Sequence, residues 1–210
     1  METTRSATPD GDTPPRAQPV LPQMLSHAAF MSSDTTATVA FFTKILGMEF
    51  VSAVLDDRIP STGEAVPYFH SFFRMADGST LAYFEAPDLP PIADAPHPAY
   101  DTFRHLAMQV PSTQDVDAWR EWLAAHGVDV IGPVDHGIVY SVYFHDPDGN
   151  RLEITTPTDD RWNDNAAVAR TALAEWDELK AIAEGTGVTL SSTLAARSHR
   201  RQVGVIDPVL

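Results

Sequence analysis

The chain has 210 residues, 43% of them hydrophobic, and a formal net charge of −15: enough apolar material for one large or two small domains, and too acidic to suit a nucleic-acid backbone. With no Cys it has no disulfide, no thiol nucleophile and no thiolate metal ligand. No apolar run approaches the ~20 residues of a membrane span and the start lacks a secretory pattern, so a cytoplasmic protein that binds neither nucleic acid nor membrane is expected.

Residues 1–20, rich in Thr, Pro and Asp, are expected to be a disordered leader. His27 then opens a strand, a helix, a Gly and a second strand: LSHAAFMSS, DTTATVAFFTKIL, GMEFVSAV. About eighty residues on, His105 opens the same succession: FRHLAMQVP, STQDVDAWREWLAAH, GVDVIGP. Each half runs on into a strand pair closed by an Asp-Gly turn, Asp77-Gly78 in the first and Asp148-Gly149 in the second. A fixed-offset repeat of this kind predicts two equivalent modules, about 22–87 and about 101–157. Between them, residues 87–100 are Pro-dense and predict an extended crossing segment.

The second turn carries the strongest local signal. HGIVYSVYFHDPDGNRLEITT (136–156) reads as two strands joined at Asp-Pro-Asp-Gly-Asn, with Gly149 free to take the positive φ that closes the turn. Val139, Ser141 and Tyr143 share a face of the first strand, and Arg151, Glu153 and Thr155 share a face of the second. A Glu inside the apolar run Leu152-Glu153-Ile154 costs several kcal/mol if buried unpaired. A metal ion explains it. A lone His in an apolar strand is ordinarily packing, but His27 and His105 hold matching places, so His27, His105 and Glu153 form a three-ligand metal constellation.

The two β-α-β-β-β modules, the paired His and DPDGNRLE resemble the vicinal oxygen chelate superfamily, which includes glyoxalase I, extradiol dioxygenases, methylmalonyl-CoA epimerase and antibiotic-resistance proteins. The resemblance covers 21–157 and implies an α+β fold: two tandem βαβββ modules forming a cupped mixed sheet around one metal site, followed by a C-terminal helix. That helix is expected over about 163–183, with Val168, Leu173, Trp176, Leu179 and Ile182 near one face. Within 158–210, residues 186–210 are too mixed to place.

Glu85 divides the enzyme classes that the resemblance implies. Glyoxalase-like members use a fourth ligand, a Glu from the last strand of the first module; extradiol-like members use two His and one Glu. Glu153 lies four residues after Gly149, whereas Glu85 lies seven after Gly78, so parity makes Ala82 the counterpart of Glu153 unless a bulge intervenes. The expectation is therefore an Fe(II) extradiol-type dioxygenase acting with O2 on a catecholic or related aromatic substrate. Tyr143 precedes Glu153 by ten residues, as the active-site tyrosine does in extradiol dioxygenases, and that resemblance implies a hydrogen bond to a ligand oxygen on the metal. Its other reading is a core tyrosine with its hydroxyl at the sheet edge. His136 is a proton-shuttle candidate that could equally be an exposed loop histidine. His145, on the parity of Tyr143, and His97, in the connector where some dioxygenases place an acid, are further catalytic candidates. His70 would line the pocket mouth beside Phe72.

The alternative is a lyase or isomerase using Zn, Ni, Co or Mn with Glu85 as fourth ligand or base on an enediol. A third reading is a drug-binding protein without turnover. A homodimer is expected, as in other paired-module members.

Overall fold

In the computed structural model, each half of the repeat folds into a four-stranded mixed sheet with a helix on one face, an α+β architecture. The structure describes residues 20–90, 95 and 97–202. The leader up to residue 19, connector positions 91–94 and 96, and tail residues 203–210 lie outside the described residues. The chain divides into two units: the part up to Phe103 with His145–Asn150, and Arg104–Phe144 with the part from Arg151 onward.

The first unit contains β1 (His27–Ser32), α1 (Thr35–Ala40), β2 (Glu49–Asp56), β3 (Tyr68–Arg74), β4 (Thr80–Glu85) and α2 (Pro98–Phe103), with strand order β1-β4-β3-β2. β1 runs parallel to β4, and the other pairs are antiparallel. α1 begins where Asp34 leaves the extended conformation. Its carboxylate accepts the N–H groups of Thr36 (2.9 Å) and Ala37 (3.1 Å), two donors that a helix start otherwise leaves unpaired. The helix continues as a π-type turn, Phe41–Ile45, which buries Phe42 completely, its ring 4.9 Å from both Phe73 and Tyr83. Burying such a side chain contributes about 1.5–3 kcal/mol.

Alternation along the strands sorts the aromatic residues of this unit. Phe73 and Tyr83 point to the helix, whereas His70, Phe72 and Phe84 share the face that carries His27. The register pairs His27 with Thr80, Ala29 with Ala82 and Ser32 with Glu85.

The second unit contains β5 (Leu106–Gln109), α3 (Thr113–Ala125), β6 (Ile131–Asp135), β7 (Val139–His145, all but its last residue), β8 (Arg151–Pro157), α4 (Ala166–Thr186) and α5 (Leu190–Gln202), with strand order β5-β8-β7-β6. Ser112 starts α3: its hydroxyl accepts the Asp115 N–H at 3.2 Å and donates to the Asp115 carboxylate at 2.6 Å. Val116 and Leu123 on α3 and Val142, Phe144 and Leu152 on the strands are fully buried. That apolar layer leaves the other face of β7 and β8 for polar groups.

Two helices follow the modules where one was expected. α4 starts three residues later than the sequence suggests and stops where Gly187 turns left-handed at φ 69°. Leu179 is buried, while Leu173 remains 60% exposed. α5 occupies the segment whose pattern was unreadable, and Arg197 ties it to α4 through Glu175 (2.9 Å) and Glu178 (3.2 Å). Among the described residues no helix is long and apolar enough to cross a membrane.

One glycine in this unit is irreplaceable on steric grounds. Gly132 sits at φ 109° where the β6–β7 register shifts, and a Cβ there would lie 2.9 Å from the Ser141 carbonyl oxygen and 3.1 Å from the Val134 nitrogen. Both are backbone atoms that cannot swing away. Gly132→Ala is therefore expected to cost about 1–3 kcal/mol. A denaturant midpoint shift equivalent to less than about 0.5 kcal/mol would contradict this.

Candidate metal and substrate site

The polar wall of the second unit is built by strand pairing. The parallel register sets Ala107 against Glu153, two positions beyond His105 on one strand and Arg151 on the other. Ala29 faces Ala82 in the first unit, two positions beyond His27 and Thr80. The two sheets are thus built on one register, and Ala82 holds in the first the place that Glu153 holds in the second.

On this wall Glu153 is 3% exposed, and its Oε2 lies 2.9 Å from His105 Nε2. The Tyr143 hydroxyl lies 2.8 Å from His136 Nε2. Burial, then the charge of Glu153, hold the Tyr143 phenol above its ordinary value, so it stays protonated and available as a donor. Ser141 and Thr155 close the same face with hydroxyls 2.7 Å apart.

The donor set suits a divalent cation. Burying a carboxylate is costly unless its charge is balanced, and a cation on the adjacent imidazole and carboxylate supplies that balance with borderline N and O donors. The structure brings together His105, Glu153, Tyr143 and His136 from the sequence-derived candidates. Among the described residues no group of three or more His, Asp or Glu side chains is gathered as a metal cluster.

In the first unit, His27 is exposed on β1 with its Nδ1 3.2 Å from the Ser26 hydroxyl. Its ring lies 5.8 Å from Phe72 and 6.3 Å from His70. His70 stacks on Phe84 at 3.5 Å, and its Nε2 is enclosed without a hydrogen-bond partner. Burial, then the nearby His27, lower its affinity for a proton. Glu85 lies on the opposite face, with its Oε2 accepting the Thr35 N–H at 2.7 Å beside a cavity of about 480 Å³ that Ser33 and Asp148 also line. His97 accepts the Ala99 N–H at 3.1 Å at the start of α2, and His145 is exposed at the end of β7.

Arg151 is the member of the wall to which the sequence reading assigned no role. Its guanidinium carbon lies 4.3 Å from the Tyr143 ring centroid. The available signal was its position two residues before Glu153, on the same strand face.

Comparison with known proteins bears on this wall. Residues 24–154 match the sequence profile of the Glyoxalase/Bleomycin resistance protein/Dioxygenase superfamily. The chain is 28% identical over 145 residues to metapyrocatechase of Pseudomonas sp. strain CF600, covering 68% of this chain and 42% of that protein. It is 28% identical over 134 residues to metallothiol transferase FosB of Bacillus licheniformis, covering 63% of this chain and 74% of that protein. The chain thus spans well under half the length of the first of these. The crystal structure of a glyoxylase/bleomycin resistance protein/dioxygenase domain from Frankia sp. EAN1pec has the same fold, with a TM-score of 0.53 at 20% identity over 65% of this chain and 99% of that one.

Proposed function

The chain belongs to the glyoxalase/bleomycin resistance protein/dioxygenase superfamily, and on that premise we propose that it is a metal-dependent enzyme, an Fe(II) extradiol-type dioxygenase that opens a catecholic or related aromatic ring with O2. The observation that carries this reading is the His105–Glu153 pair, a buried carboxylate 2.9 Å from an imidazole on one wall with Tyr143. His105 and Glu153, with His27, are the proposed ligands; Mn, Zn, Ni or Co are the alternatives to iron. A bound divalent metal would supply Lewis-acid binding of adjacent substrate oxygens.

The remaining chemistry belongs to the chain. Tyr143, kept protonated, donates a hydrogen bond to a substrate oxygen. His136, its Nε2 2.8 Å from the phenol oxygen, exchanges a proton there and with solvent through its other ring nitrogen. His145 and His97, both exposed, are the proposed outer proton-exchange residues. The aromatic face of Phe72 and Phe84 beside His27 suits a flat apolar substrate. A homodimer is proposed as the working state.

A second reading, a metal enzyme that consumes no oxygen, is favoured by the likeness to a metallothiol transferase over 74% of that protein's length. Glu85 as a fourth ligand would have to give up the Thr35 N–H. The test is anaerobic purification, metal analysis, Fe(II) loading and O2 uptake with a panel of catechols. One iron per chain with oxygen uptake, both abolished in His105→Ala, is expected. Metal binding without oxygen uptake on any catechol would overturn the dioxygenase assignment in favour of the second reading, and failure to bind any metal would overturn both.

A further inference from the structure

We propose that Arg151 is a specificity-determining residue that recognises a carboxylate, and that the small molecule bound on this wall carries one. The inference rests on reading the His105–Glu153 wall as the substrate site. Arg151 and Glu153 are two residues apart on β8 and so share a face, roughly 7 Å apart along the strand. The Tyr143 ring beneath the guanidinium, at 4.3 Å, holds the planar group flat.

The cation has no internal counter-charge. Among the described residues no carboxylate forms an ion pair with Arg151. Glu153, its neighbour on the strand, is instead engaged by His105 at 2.9 Å, and the Arg151 Nε is enclosed without a hydrogen-bond partner. The contrast with Arg74 and Arg197, both paired with Glu side chains, is direct. A structural arginine at this depth would be expected to find an acceptor; the fold supplies an aromatic platform and no acceptor for the Arg151 Nε.

The charge balance names the ligand class. The chain carries a net charge of −15 and would repel an anion without a local cation. Arg151 is the only Lys or Arg in β5 to β8. One guanidinium balances one negative charge, and its planar fork matches a carboxylate through two parallel hydrogen bonds.

The test is calorimetric titration of Mn(II)-loaded protein with 3,4-dihydroxybenzoate and with catechol, a pair that differs by one carboxylate. Wild type is expected to bind 3,4-dihydroxybenzoate at least about tenfold more tightly. Arg151→Gln is expected to reduce that ratio to about one, and Arg151→Lys, which keeps the charge but loses the fork, to give an intermediate ratio. If Arg151→Gln fails to fold, Arg151→Lys carries the test. A ratio near one in wild type, or an unchanged ratio in the variants, would overturn the proposal. In the metal-free protein, tighter binding of phenylphosphonate than of benzoate would overturn the carboxylate assignment.

Metal content is measured on the same preparations. Failure to take up metal would count against the enzyme reading alone. Carboxylate preference is then still read from benzoate and benzyl alcohol by chemical-shift titration of the metal-free protein.

Discussion

Glu153→Gln is expected to abolish a metal-dependent rise in melting temperature that the wild-type protein shows. A ligand that binds only the folded state stabilises it by about 2.7 kcal/mol at a hundredfold excess over its Kd, which for a chain of this size corresponds to roughly 5–10 °C. In wild type the increment should appear on adding Mn(II) or Fe(II) to chelator-treated protein. The Gln amide keeps the shape and a neutral oxygen but loses the charge that a cation needs, so in the variant the increment should fall below about 1 °C. Metal-free Glu153→Gln should be folded, because the substitution removes a buried charge without opening a cavity. Retention of the full metal-induced shift would exclude Glu153 as a ligand. Thermal scans with and without chelator give the answer without an assay of turnover.

The second large effect lies at the hairpin tip between β7 and β8, where Asp146 is a structural hub. Its Oδ2 accepts the Tyr83 hydroxyl at 2.7 Å and the Asn150 amide at 2.9 Å, while Oδ1 accepts the backbone N–H groups of Asn150 (2.8 Å) and Asp148 (3.0 Å). Tyr83 is 1% exposed and Asp146 6%. Asp146→Ala would leave a buried phenol without an acceptor and the turn without its organiser. The expected loss is about 2–4 kcal/mol, read from denaturant unfolding; a change under about 1 kcal/mol would contradict the hub.

The same contact predicts an alkaline limit to stability. Burial first, and then the charge and hydrogen bond of Asp146, hold the Tyr83 phenol far above its ordinary value of 10.0. Above pH 10 the unfolded chain therefore releases a proton that the folded chain keeps, and stability falls as pH rises. Tyr83→Phe should remove that tyrosine's share of the decline, flattening the stability profile above pH 10. An unaltered alkaline slope in the variant would refute the assignment.

How much of this was legible beforehand can be argued residue by residue. The Asp-Pro-Asp-Gly-Asn turn was readable because Pro147 and Gly149 restrict their own backbones, and Gly149 does sit at φ 80°. The strand faces of Tyr143 and Glu153 were readable because side chains alternate at a period that the sequence displays. α5 was not, since a segment held by Arg197 to Glu175 and Glu178 has no need of the apolar periodicity by which helices are recognised. Arg151 was visible in the strand pattern, but its lack of a partner was not, because a missing ion pair is a property of the surroundings.

The division follows from the range of the forces involved. Turns, caps and alternation are set by torsion angles and by neighbours within a few residues, so the sequence by itself determined the repeat, the two βαβββ modules and the polar face of β7 and β8. Partners distant along the chain are set by which strands become neighbours and in what register. Only the tertiary structure decided that His105 meets Glu153, that Glu85 closes onto the Thr35 N–H, that Tyr83 occupies Asp146, and that Arg151 is left with an aromatic ring and no acceptor.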